Sequence, residues 1–118
     1  MILVTVNDIK NILNAQMLTG NGLLEHPVTN ACGSDMMSDV LAFVKDQSVL
    51  LTGLVDSQVV RTAEMMDIVC IVFVRGKEPD DNIIALARER NIALLKTPLR
   101  MFTACGLLYE AGLKGGSD

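Results

Sequence analysis

The chain has 118 residues, of which 50% are hydrophobic and 20% charged, so its size and composition are those of one folded domain and exclude a disordered chain. Its net charge of −4, without any run of Lys or Arg, argues against nucleic acid as a partner, and three Phe, one Tyr and no Trp leave few side chains on which bases could stack. The longest apolar run, residues 68–74, is far shorter than the roughly 20 residues that cross a bilayer, so no membrane association is expected.

The first predicted elements are short. Thr5 and Asp8 have the spacing of a capping box, and apolar residues follow at helical spacing, which predicts a helix over residues 5–14. A short strand can follow over residues 15–18, before a glycine-rich turn. A second short strand is predicted over residues 28–32.

From residue 38 onward, predicted helices alternate with strands of continuous apolar sequence. The strands are predicted over residues 48–52, 68–74 and 92–95. The first of the four helices runs from Ser38 or Asp39 to Val44, and the second begins at Asp56 or Ser57 and has Val59, Val60, Ala63 and Met66 on one face. The third runs from Asp80 to Arg90, and the fourth from a Thr97 cap, with Pro98 in the first turn, to about Gly112. Strands of this kind are buried on both faces, and their alternation with helices is typical of parallel sheets. We therefore predict an α/β fold with three layers, α/β/α, around a parallel or mostly parallel sheet of about four to five strands.

The predicted domain covers residues 1–113, and residues 114–118 are predicted to form a disordered tail. The N-terminal sequence has no basic residue ahead of its apolar stretch and is too short for a signal peptide, so a cytoplasmic location is expected. The cysteines, Cys32, Cys70 and Cys105, are odd in number and never occur as C-x-x-C, which predicts reduced thiols.

The last predicted helix is apolar around most of its circumference. Its apolar residues are Met101, Phe102, Ala104, Cys105, Leu107, Leu108 and Tyr109. This pattern predicts a helix buried on more than one side. Burial within the monomer and packing against a second copy both account for it, and the sequence favours the homodimer.

A ligand site is predicted where the parallel strands end. In open α/β sheets, ligands bind outside the carboxyl ends of the strands, where glycines allow close approach, and cations and hydroxyl groups hold anions. The candidate residues at this edge are Ser34, Asp35, Thr52, Gly53, Asp56, Arg75, Gly76, Lys77 and Thr97. Gly and Thr at these positions are also what turns and helix caps require, so a purely structural role remains the alternative.

The sequence contains no recognisable catalytic constellation. Gly76-Lys77 lacks the earlier Gly and the following Ser or Thr of a phosphate-binding loop. His26, the only histidine, lies beside Pro27 in a predicted surface loop. This position argues against catalysis in which Cys32 or Cys105 is the nucleophile and His26 is its general base. No cluster of metal-ligating residues is present in the sequence, and no metal and no cofactor are predicted.

The order of these segments resembles the DRTGG domain, which is similar in fold to the N-terminal domain of HPr kinase/phosphorylase. The resemblance covers roughly residues 5–113, and the segments that carry it are Leu50-Leu51-Thr52-Gly53, Ser57-Gln58-Val59-Val60, residues 72–79, residues 83–87 and residues 92–97. It departs from the family at two places. Leu54-Val55-Asp56 stands where the family has an Asp-Arg pair, and Val74-Arg75-Gly76 stands where it has Thr-Gly-Gly.

The resemblance implies a regulatory or assembly role, because DRTGG domains are accessory to other domains and support dimerisation. We therefore predict a non-enzymatic regulatory domain that forms a homodimer and senses a small anionic ligand such as a nucleotide. One alternative is an acyl- or phosphoryl-transfer enzyme with Asp35 or Asp56 as general base and Arg75 stabilising charge. Another is a protein-interaction module without a ligand.

Overall fold

The structure, a computed structural model, describes residues 4–115 of the chain. In chain order the elements are β1 (Val4–Thr5), α1 (Val6–Ile12), β2 (Gln16–Thr19), a 3₁₀ turn (Asn21–Leu23), β3 (Pro27–Val28), β4 (Asn30–Gly33), α2 (Met37–Phe43), β5 (Ser48–Thr52), α3 (Ser57–Met65), β6 (Cys70–Phe73), α4 (Asp81–Glu89), β7 (Ala93–Lys96) and α5 (Met101–Glu110). The strand over residues 48–52 has the predicted bounds, and the strand predicted over residues 28–32 is divided between β3 and β4.

The main sheet has five strands in the order β2-β7-β6-β5-β4. The four strands β4 to β7 are parallel, and β2 pairs antiparallel with β7, while β1 and β3 form a separate two-stranded ribbon. Because each crossover steps to the next strand in the same direction with the same hand, α2, α3 and α4 cover one face of the sheet. The other face is covered by α1 and α5. The predicted three-layer α/β/α fold with a mostly parallel sheet is confirmed.

Each face of the sheet has its own hydrophobic core, and the alternation of strand side chains divides the residues between them. In β5, Val49 and Leu51 pack towards α1 and α5, whereas Leu50 packs towards α2 and α3. All five residues of β5 are buried, which is the reason for their continuous apolar sequence. Gly33 at the end of β4 allows α5 to pack closely, since a Cβ there would lie 2.6 Å from the Cys105 Sγ.

Three helices begin with side-chain caps that the sequence predicts. Thr5 and Asp8 form the capping box of α1, with the Asp8 N–H donating to the Thr5 Oγ1 at 3.1 Å and the Thr5 N–H to the Asp8 Oδ2 at 2.9 Å. The Asp56 carboxylate caps α3 and the Asp80 carboxylate caps α4. Such caps satisfy N–H groups that have no partner within the helix.

The predicted starts of two other helices are wrong. α2 begins at Met37, ahead of Ser38 and Asp39, and α5 begins at Met101, with Arg100 and not Thr97 at the N-cap position. Neither N-cap residue makes a side-chain capping bond. Local cap patterns therefore locate a helix start only where the capping side chain is free to bond the first turn.

Of the two explanations for the apolar sequence of α5, burial on more than one side within the monomer is excluded by the structure. Only Ala104 and Leu108 of this helix are buried, and Met101, Cys105 and Leu107 are partly buried against the same core. The other side is exposed and includes Phe102 and Tyr109.

The chain runs alongside the edge strand β4 after α5 ends. Leu113 is buried, Lys114 forms a parallel bridge with Asn30, and the Ala31 N–H donates to the Lys114 carbonyl at 2.8 Å. Lys114, which the sequence assigns to a tail over residues 114–118, is therefore paired with the sheet, and residues 116–118 lie outside the described residues. Residues 4–115 contain no helix that has the length and hydropathy to traverse a bilayer.

Candidate functional site

Most of the predicted site residues follow the carboxyl ends of the four parallel strands. β4 ends at Gly33, β5 at Thr52, β6 at Phe73 and β7 at Lys96. Because these strands are parallel and in register, their ends form one edge of the sheet, here called the carboxyl edge. The segments that begin at this edge are residues 33–36, 52–56, 74–77 and 97–100.

Four of the predicted residues, Asp35, Thr52, Gly53 and Arg75, are in direct contact and are called the Asp35 cluster. One carboxylate oxygen of Asp35, Oδ1, accepts from the Gly53 N–H at 2.6 Å and from the Thr52 hydroxyl at 3.1 Å. The other oxygen, Oδ2, lies 4.0 Å from the Arg75 Nη2. The ends of β5 and β6 therefore direct a hydroxyl, a backbone N–H and a guanidinium towards the carboxylate that follows β4.

Arg75 has an unusual backbone conformation, with φ of +60°. This is the left-handed region, which disfavours side chains with a Cβ. The turn is held by two backbone hydrogen bonds, from the Arg75 N–H to the Leu99 carbonyl at 2.7 Å and from the Gly76 N–H to the Thr97 carbonyl at 2.8 Å. It positions the guanidinium over Gly53, where a Cβ would overlap the Arg75 Nη2. A side chain at position 53 would therefore displace the Arg75 guanidinium from this position.

Three other predicted residues lie at the carboxyl edge but are engaged in local structure. The Ser34 Oγ accepts from the Met36 N–H at 3.0 Å, and the Asp56 carboxylate accepts from the Gln58 N–H at 2.9 Å at the start of α3. Thr97 is buried, and its hydroxyl donates to the Leu13 carbonyl at 2.7 Å. The Thr97 hydroxyl is therefore bonded within the protein.

The last two predicted residues, Gly76 and Lys77, are exposed. Gly76 borders a cavity of about 290 Å³ that is also lined by Asn14, Gln16, Lys96, Thr97 and Pro98. The sequence analysis does not include Asn14, Gln16 or Lys96 among the site residues. Asn14 and Gln16 reach this edge through the antiparallel pairing of β2 with β7, and Lys96 is the last residue of β7. The Lys96 ammonium is paired there with the Glu78 carboxylate.

The cysteines have the environment of structural thiols. Burial raises the pKa of Cys70 far above its usual range, and burial is also the main cause of the raised pKa values of Cys32 and Cys105. A thiol with a raised pKa is a poor nucleophile at neutral pH. His26 lines a different cavity together with Gln47 and Asp67, at the amino ends of the strands. It therefore lies at the opposite edge of the sheet from Arg75. Within residues 4–115, no group of three His, Cys, Asp or Glu residues is arranged to hold a metal ion.

Comparison with known proteins identifies the fold. A model of the DRTGG domain matches residues 8–111. The chain belongs to the DRTGG domain family. Within this DRTGG domain, Arg75 and the following Gly76 both have the left-handed backbone conformation. No curated protein matches the chain.

A similar solved structure is the crystal structure of the CBS and DRTGG domains of the regulatory region of a Clostridium perfringens pyrophosphatase, complexed with its activator, diadenosine tetraphosphate. The TM-score is 0.74 at 20% sequence identity, and the match covers 89% of this chain and 46% of that chain. The likeness shows a shared fold. This DRTGG domain spans less than half the length of that chain.

Proposed function

We propose that this DRTGG domain is a non-enzymatic regulatory domain that binds a small anionic ligand, such as a nucleotide, at the carboxyl edge and acts as a homodimer. The observation that carries the ligand proposal is the Asp35 cluster, in which the Thr52 hydroxyl, the Gly53 N–H and the Arg75 guanidinium converge on one anionic group. These are the donor types that hold phosphate and carboxylate groups in proteins. The fold shared with part of a nucleotide-activated regulatory region supports the same proposal.

The transfer-enzyme alternative is less consistent with the geometry. A general base must lie within hydrogen-bond reach of the proton that it removes. Asp56 accepts a hydrogen bond at the start of α3, and Asp35 already accepts two. Among the hydrogen bonds of the described residues, the one hydroxyl that bonds either carboxylate is that of Thr52, which donates to Asp35. The oxygen of this hydroxyl also accepts from the Leu54 N–H at 3.1 Å.

The homodimer proposal depends on the outward face of α5. Phe102 is 90% exposed and Tyr109 is 59% exposed. Gly106 lies between them on the same face, because residues three and four apart are neighbours on a helix. A glycine inside a helix lowers the stability of that helix, and no atom of the same chain lies within 4 Å of a Cβ built at Gly106. Packing within the monomer therefore does not account for a glycine at this position. A helix from a second copy that crosses closely at Gly106 accounts for it.

This face is self-complementary under twofold symmetry. Phe102 lies four residues before Gly106 and Tyr109 three residues after it, which is about 6 Å and 4.5 Å along the axis at a rise of about 1.5 Å per residue. An antiparallel α5 pair that crosses at Gly106 therefore packs Phe102 against the partner's Tyr109, an aromatic contact repeated twice in the dimer.

Ligand binding is tested by titration calorimetry with inorganic phosphate, AMP, ATP and diadenosine tetraphosphate. We expect saturable binding of at least one of these anions and an affinity at least about 10-fold lower in Arg75→Ala, since a hydrogen bond to a charged group contributes roughly 1.5–3 kcal/mol. Arg88→Ala removes an exposed cation of α4 and serves as the control. Equal affinities of the Arg75→Ala variant and the wild type would exclude the carboxyl edge as the binding site.

Dimerisation is tested by analytical ultracentrifugation of the wild type and the Phe102→Glu variant. We expect a dimer for the wild type and a monomer for Phe102→Glu, because the symmetry of the interface buries two added charges. Phe43→Glu alters an aromatic residue of α2 that is 73% exposed and should leave the dimer intact. A monomeric wild type at high micromolar concentration would refute the proposal.

A further inference from the structure

We infer that Asp35 is an internal anion that occupies the binding site and that a ligand must displace it, so that binding is coupled to the loop before α2. This inference rests on the proposed ligand function and concerns the regulation of the same site. It follows from the identity of the group on which the donors converge, from its exposure and from its position in the chain.

The carboxylate of Asp35 uses the donors of the cluster incompletely. Oδ1 accepts both hydrogen bonds, from Gly53 and Thr52, whereas Oδ2 lies 4.0 Å from the Arg75 Nη2, at the outer limit of an ion pair. A phosphate group has three terminal oxygens and can accept from the N–H and the hydroxyl while a guanidinium binds it in a bidentate manner. An anion with more oxygens than a carboxylate therefore fits these donors better than Asp35 does.

Both charged side chains of the cluster are accessible to a ligand from solvent. The side chain of Asp35 is 52% exposed and that of Arg75 is 49% exposed. Solvent screening weakens an ion pair of this exposure. Breaking the ion pair between Asp35 and Arg75 therefore opposes the displacement of Asp35 only slightly. The receiving side is fixed, because the Gly53 backbone is buried at the end of β5. The geometry thus combines a rigid set of donors with a replaceable acceptor.

Displacement of Asp35 acts on the start of α2. Asp35 lies in the short loop between β4 and α2, and among residues 4–115 the side chain that bonds the Met36 N–H is that of Ser34, within the same loop. The N-cap residue of α2, Met36, makes no side-chain capping bond. The bonds that Asp35 accepts from Gly53 and Thr52 therefore fix this loop to the sheet, together with the backbone bond from the Ser34 N–H to the Leu51 carbonyl at 3.0 Å. Loss of the Asp35 bonds loosens the start of α2, where Met36, the N-cap residue, is exposed.

The inference is tested by measuring the affinities of wild type, Asp35→Asn and Asp39→Asn for inorganic phosphate and ATP by titration calorimetry. Asp39→Asn removes one negative charge from an exposed position of α2 and controls for general electrostatics. We expect Asp35→Asn to bind the anion at least 10-fold more tightly than the wild type and Asp39→Asn to bind it less than 3-fold more tightly. Wild-type binding with an Asp35→Asn affinity no higher than that of Asp39→Asn overturns the inference and leaves the proposed function standing. Absence of anion binding in all three proteins overturns both.

A second measurement decides the question on the wild type, even if Asp35→Asn does not fold. In ¹⁵N–¹H spectra recorded during an ATP titration, displacement of Asp35 shifts the amide resonances of Gly53, Asp35 and Met36 together and with one saturation curve. The Gly22 amide, which lies away from the carboxyl edge, is the internal reference and should not shift. ATP saturation that leaves the Gly53 and Met36 resonances unchanged overturns the inference.

Discussion

The hydroxyl group of Thr97 joins the end of β7 to the end of α1. It donates a hydrogen bond to the Leu13 carbonyl at 2.7 Å and accepts one from the Leu99 N–H at 3.2 Å. The hydroxyl therefore has a partner within the protein both as a donor and as an acceptor. Thr97 thus differs from Thr52, whose hydroxyl donates to a partly exposed carboxylate. Two threonines at equivalent strand ends therefore have different roles, and the partner of each hydroxyl decides which.

Replacing Thr97 by Val tests this assignment. The substitution keeps the shape of the side chain but leaves the Leu13 carbonyl without its hydroxyl donor, so we expect a loss of about 1–3 kcal/mol in the free energy of unfolding. Urea unfolding followed by circular dichroism measures the loss. Thr97→Ser retains the hydroxyl and should be the more stable of the two variants. Anion affinity should be unchanged in both, and a lower affinity would place Thr97 in the ligand site.

At the scale of elements, α5 has two faces with opposite requirements. Ala104 and Leu108 pack into the core below the sheet, whereas Phe102, Gly106 and Tyr109 face solvent in the monomer. The Lys114 ammonium lies 3.6 Å from the centre of the Tyr109 ring, so the end of the chain helps to orient that ring. The exposed face thus carries two aromatic side chains, and one of them is in contact with Lys114.

Replacing Gly106 by Ala separates the stability of the helix from dimerisation. A Cβ at this position meets no atom of the same chain, so we expect the monomer to gain about 0.5–1 kcal/mol from the higher helix propensity of Ala. In the homodimer the same Cβ lies at the proposed crossing point and should raise the dimer dissociation constant. Sedimentation equilibrium and urea unfolding at low protein concentration measure the two effects. An Ala variant that dimerises more tightly would contradict the proposed crossing.

At the scale of the whole molecule, the two cores share the sheet, and Cys70 lies buried in the core under α1 and α5. Burial disfavours its thiolate and raises its pKa above the usual value of 9.0 in the folded state only. Above pH 9 the unfolded chain therefore releases this proton while the folded chain retains it. The folded state is then favoured fully below pH 9 and progressively less as the pH rises.

We expect the free energy of unfolding to fall by about 1.4 kcal/mol in total between pH 8 and pH 10 for this thiol, most of it above pH 9. Urea unfolding under reducing conditions at pH 8, 9 and 10 measures the slope. Cys70→Ala is less stable at pH 8, because it leaves a small cavity, but its slope should be shallower by the same amount. Identical slopes for the wild type and the variant would show that Cys70 does not titrate on unfolding in this range.

Several elements could be predicted from local sequence because their burial is uniform or their caps are local. β5 has the predicted bounds, since its residues are all apolar or small and a glycine follows. α1, α3 and α4 begin at the predicted side-chain caps. The start of α5 was not predictable, because the Thr97 hydroxyl bonds Leu13, which lies 84 residues away in the sequence.

The candidate site was predictable only as a set of strand ends. The alternation of helices and strands in the sequence predicts the α/β class. Because parallel strands place their carboxyl ends together, the sequence also predicts which segments meet at the carboxyl edge. It could not determine that Asp35 contacts Gly53 and Arg75, or that β2 adds Asn14 and Gln16 beside Gly76. Periodicity and caps are set by neighbours along the chain, whereas side-chain partners depend on strand order and crossover direction. Only the tertiary structure decides these, because they arise from packing between residues distant in sequence.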